Sequence, residues 1–348
     1  MPCVSPDNAC PHLAHMIRLT IFLFRTGSTP ADFHGLGNMV VTRVLLSSVD
    51  GAREDRAMLF RYTTILAGSA GMTLAACVCV FKWDSVKRDA GHGTMFMVFF
   101  CWFTWSSASL VRTLFVYSNN GLDTTEHPRI RNMTFITETL FNATSMWLIA
   151  AMYECKRRAM APRIAARSHR RCLVAYMSVI SGLSLIFYIS MVIVDRSGAT
   201  VAGFDPNDPN EEEPLAAIAL SKFAWATWGL RCLAVVFLAL VTIWLESQRD
   251  RLQFVALPKA LSWIVLVLVV LNMPYLVIDA LIGLDVLHPS NDMRFMGIMK
   301  TFTYMSGIAM SAAMGLAVRG FDAFFNSKAH RINSRRHDMF VVSDRSDS

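Results

Sequence analysis

Apolar positions along the chain gather into seven long runs, roughly Thr63–Val80, Thr94–Tyr117, Met133–Tyr153, Cys172–Val194, Leu215–Leu245, Leu261–Gly283 and Phe295–Val318. Each is close to or above the ~20 residues that a helix needs to cross a hydrocarbon core. Barrel strands would alternate over about ten residues instead. Core helices of a soluble protein would carry polar faces, which these runs lack. The pattern predicts an all-α membrane protein, a seven-transmembrane helix bundle. Residues 1–60 read as an extension, partly disordered. Its one apolar stretch, "IRLTIFLF", is too short for a span or a secretory signal. Residues 61–320 form the bundle. In "RGFDAFFNSKAHR", Phe321, Phe324, Phe325 and Ala329 share a helical face, as in an amphipathic helix lying on the inner membrane surface. A short disordered tail completes 321–348.

Composition supports this reading. Hydrophobic residues make up 54% of the chain and charged residues 17%, against the quarter or so of charged residues usual in soluble domains. The eight cysteines form no C-x-x-C pair. Those inside the apolar runs (Cys77, Cys79, Cys101, Cys172 and Cys232) read as small buried hydrophobes.

Charge sets the orientation. With the amino terminus outside, the inner loops and tail collect Lys82, Lys87, Arg88, Arg249, Arg251, Lys259, Arg319, Lys328, Arg331, Arg335, Arg336 and Arg345. They also collect the stretch 154–171, with Lys156, Arg157, Arg158, Arg163, Arg167, Arg170 and Arg171. The outer loops hold only Arg129, Arg131, Arg196 and Arg294, and the fourth loop is the acidic "FDPNDPNEEEP". The positive-inside rule therefore places the amino terminus on the extracellular or lumenal side and the carboxyl terminus in the cytosol. The extension dissents, with Arg18, Arg25, Arg43, Arg53, Arg56 and Arg61, but the rule weights short loops most heavily. The 154–171 stretch is topogenic and rests against anionic headgroups, at about 1 kcal/mol per basic residue near the surface. It is also the candidate contact for a cytosolic partner. Between two spans, it does not serve as a nucleic-acid arm.

Ionisable residues within spans are costly and mark either packing pairs or functional sites. Arg112, Glu138, Lys222, Asp279 and Lys300 all fall in the outer third of the bilayer by helical rise. Together they form a candidate ligand site or structural charge cluster. Arg112 is expected to pair with Glu138, and Asp279 with Lys300 or Lys222. Arg231 lies deeper, where it either snorkels inward or meets the break at Asn272–Pro274, the predicted helix kink of span six. No Gly-rich phosphate loop, H-E-x-x-H or G-x-S-x-G occurs. The chain is therefore read as a non-enzyme, with no cofactor and no metal. The His12, His15, Cys3 and Cys10 group is too loose to be a metal site. Asn132 begins an outer N-M-T sequon close to the membrane.

Seven spans followed by an amphipathic helix resemble G-protein-coupled receptors. Span three, however, ends "MYECKRR" rather than Asp-Arg-Tyr, span six has "LNMP", and span seven has no Asn-Pro-x-x-Tyr. Over roughly 63–320 the chain is similar to the plant tobamovirus-multiplication family and its receptor-like animal relatives. The similarity is carried by "SLVRTLFVY" around Arg112, "MYECKRRA" with Glu154, and "IDALIGLDVLHPS" after span six. The long extension, the Arg-rich third loop and the acidic fourth loop depart from it. The resemblance implies an endomembrane or vacuolar/lysosomal scaffold without catalytic activity; the residues themselves leave plasma membrane and endomembrane open. The leading expectation is a signalling receptor or membrane scaffold in the lipid bilayer. It would bind cytosolic partners through its basic inner loops, and the outer cluster would take a small ligand. The alternative is a transporter or channel using that cluster. A membrane enzyme ranks below both.

Overall fold

The computed structural model describes residues 56–81, 90–119, 127–160, 169–196, 215–248, 256–283 and 297–313. Among these residues the fold is entirely helical: α1 (Arg56–Phe81), α2 (Ala90–Ser118), α3 (Pro128–Met160), α4 (His169–Val194), α5 (Leu215–Ser247), α6 (Ala256–Gly283) and α7 (297–313). Four of them, α1, α2, α4 and α5, are long and apolar enough to cross a membrane by length and composition. They fit an integral membrane protein. The amphipathic segment after 319 and the extension before 56 lie outside the described residues.

Side-chain contacts fix the relative directions of α1 to α5 and of α7. Ser69 meets Ser106 and Phe81 meets Phe96, so α1 and α2 run antiparallel. The same reversal joins α2 to α3 through Arg112–Thr134 and Trp102–Phe141, and α3 to α4 through Arg131–Asp195 and Glu154–Tyr176. Asn142 with Thr227, and Lys156 over Trp244, instead set α3 and α5 parallel. Parallel packing also joins α1 to α7, where Tyr62 donates to the Gly297 carbonyl and Gly68 faces Ile308. Direction therefore alternates from α1 to α5, and α7 packs parallel to α1.

The outward faces are apolar, the reverse of a soluble surface. On α1, Leu59, Tyr62, Leu66, Ser69, Thr73 and Cys77 form the inward stripe, while Phe60, Met72, Leu74 and Val78 face out. On α4, Val174, Leu185, Ile186 and Ile193 are exposed.

The exception is α3. It is the least hydrophobic of the long helices, yet from Met133 to Ala159 none of its described side chains is exposed. It packs against α2, α4 and α5 and so occupies the middle of the bundle. A helix rich in Thr and Ser tolerates that position because the hydroxyls find acceptors within their own helix. Thr134, Thr139, Thr144 and Ser145 donate to the carbonyls four residues back, and Thr137 to the one three back. Its neighbours carry the hydrophobic exterior, and α3 carries the polar groups.

Where α1, α2 and α7 meet, Ser69 bonds Ser106 at 2.9 Å, both fully buried. Gly307 lies against that pair, and a Cβ there would collide with Ser69 Oγ. Gly307→Ala is expected to displace Ser69, break its bond to Ser106 and lower stability by about 1–3 kcal/mol. Thermal unfolding in detergent reads this, and Ser69→Ala on the same background restores part of the loss.

Candidate functional site

The buried stretch of α3 holds two polar clusters, sixteen residues and about 24 Å apart along the axis. The first centres on Glu138 and Arg231. Helical spacing turns Glu138, Phe141 and Asn142 toward α5, and parallel packing brings Thr227 and Arg231 opposite them. The Arg231 guanidinium pairs with the Glu138 carboxylate and lies 4.2 Å from the centroid of the Phe141 ring. Arg231 is 9% exposed, whereas the Glu138 side chain is 35% exposed. The pair is therefore buried on its basic side and open on its acidic side. Phe141 is itself packed by Trp102 and Trp105 at centroid distances of 5.7 and 5.1 Å, both edge-on. Asn142 donates to Thr227 at 3.2 Å, which leaves its Oδ1 buried without a partner; Arg231 Nε is in the same condition.

This arrangement revises the expected pairing. Glu138 takes Arg231 from α5, and Arg112 instead donates from Nε to Thr134 Oγ1 at 3.0 Å. Arg231 neither snorkels inward nor caps a break in α6. Two facts, invisible in a hydropathy trace, bring it to Glu138: α5 packs on α3, and an arginine side chain leans toward its helix amino terminus. Lys222 is exposed, and Lys300 lies 5.5 Å from the Tyr62 ring centroid. The Asp279 side chain lies outside the described residues.

Around Pro274 the helix is continuous from Ala256 to Gly283. Proline removes the donor that would bond the Val270 carbonyl. Nearby carbonyls of α6 take donors from other helices, Leu276 from Trp228 Nε1 at 2.8 Å and Leu271 from Thr303 Oγ1 at 3.4 Å. One turn from Leu276 on the same face, Asn272 is 4% exposed, and neither of its amide atoms has a partner.

The second cluster lies at the carboxyl end of α3. Glu154 is fully buried and accepts two bonds from Arg157, 2.6 Å from Nη2 and 2.9 Å from Nε. Tyr176 Oη of α4 donates to it at 3.4 Å, and Arg157 Nη1 reaches Cys172 Sγ at 3.6 Å. Of the basic stretch 154–171, residues 154–160 thus continue α3 and His169 begins α4. Arg157 is turned inward onto Glu154, and Lys156 lies 5.9 Å from the Trp244 ring centroid. Arg171 is exposed. Arg163 and Arg167 lie outside the described residues, as do the side chains of Arg158 and Arg170. At the opposite end of α3, Arg131 pairs with Asp195 at 2.9 Å, and Asn132 of the sequon accepts a bond from Tyr188 at 2.9 Å.

Sequence reasoning treated Glu154 only as part of a family likeness, and the signal that would have marked it is Arg157 at (i, i+3). No cluster of metal-ligating side chains occurs among the described residues. No protein-family model matches this chain, and no curated protein is significantly similar to it.

Proposed function

We propose that this chain is a seven-span membrane receptor or scaffold, its amino terminus outside and its basic inner loops presented to a cytosolic partner. The observation that carries the proposal is α3. A lipid-shielded helix holds one ion pair near its outer third and another at its inner end. A change at Glu138 therefore has a rigid path of about 24 Å to the basic end of the same helix. The alternation of helix direction from α1 to α5 and the parallel packing of α7 on α1 support seven spans. The resemblance of "SLVRTLFVY" and "MYECKRRA" to the tobamovirus-multiplication family supports a non-catalytic role. The accessibility of Glu138 beside Arg231 favours one alternative, a transport path through the outer half.

Two sets of variants separate these readings. Neutralising Arg158, Arg163, Arg167, Arg170 and Arg171 together is expected to abolish crosslinking to a cytosolic protein while leaving the bundle folded. Glu138→Gln in proteoliposomes is expected to leave proton and solute permeability at the level of empty vesicles, as is the unaltered protein. Measurable flux through the unaltered protein that Glu138→Gln removes would overturn the receptor reading in favour of transport.

A further inference from the structure

We draw no further inference here: the strongest candidate, the exposed stripe of small residues Ala67, Gly71, Ala75 and Cys79 on the outward face of α1, carries none because nothing in the structure shows what covers it.

Discussion

Arg157→Leu is expected to destabilise the bundle by about 3–5 kcal/mol, the usual result of stripping one partner from a buried ion pair. Glu154 has no exposed surface, and of its described contacts only Tyr176, at 3.4 Å, would remain. The carboxylate would then have to take up a proton or draw water into the junction of α3 and α4. Glu154→Leu alone leaves Arg157 with a route outward, because that side chain is 14% exposed. The smaller loss is therefore expected on the acidic side. The double variant Glu154→Leu/Arg157→Leu is expected to recover most of the stability, since it removes both desolvated charges. Thermal unfolding of the three proteins in one detergent reads the whole cycle. Additive losses in the double variant would mean that the two residues do not act as a pair.

Glu138→Leu has the opposite asymmetry. It leaves the buried guanidinium of Arg231 with the Phe141 face as its remaining described contact. Because Glu138 is partly open to solvent, the expected loss is about 2–3 kcal/mol, below the range for a fully enclosed pair. Glu138→Gln keeps an acceptor and is expected to lose about 1 kcal/mol. Arg231→Met with Glu138→Leu is expected to return close to the stability of the unaltered protein. The same unfolding assay decides it, and a Glu138→Leu protein as stable as the parent would show that the pair contributes nothing.

The two pairs also show how far the sequence could be read. All seven apolar runs reappear as helices, because length and hydropathy are local properties that a window of about twenty residues captures. Only four of the helices meet a strict standard of apolar length. The one that falls short most informatively is α3. Its Thr, Ser, Asn and Glu lower its hydropathy, and its enclosure by neighbours makes that composition tolerable. Enclosure depends on which helices pack together, and a single sequence does not contain that.

The same limit explains the charge pairs. Matching depth on consecutive helices suggested Arg112 for Glu138, but depth does not say which way a residue faces around the helix. Arg112 turns to Thr134, while Arg231, two helices further along the chain, reaches across because α3 and α5 run side by side. The basic stretch 154–171 reads in the sequence as a topological marker. It was not legible as two helix ends, since Glu154 and Arg157 neutralise each other inside the protein and so prolong α3 past the expected boundary at Tyr153.

The account as a whole depends on seven crossings with α3 among the inward-running helices. Single cysteines placed in the connections and labelled with a membrane-impermeant maleimide test it directly. Asn120→Cys, Asp208→Cys and Ser290→Cys are expected to label in intact cells or right-side-out vesicles. Asp84→Cys, Ala165→Cys, Gln253→Cys and Asn333→Cys are expected to label only after permeabilisation. Labelling of Ala165→Cys and Asp208→Cys from the same side would contradict the account, because α4 would then not cross and the enclosed helix would lose its lipid-facing neighbour.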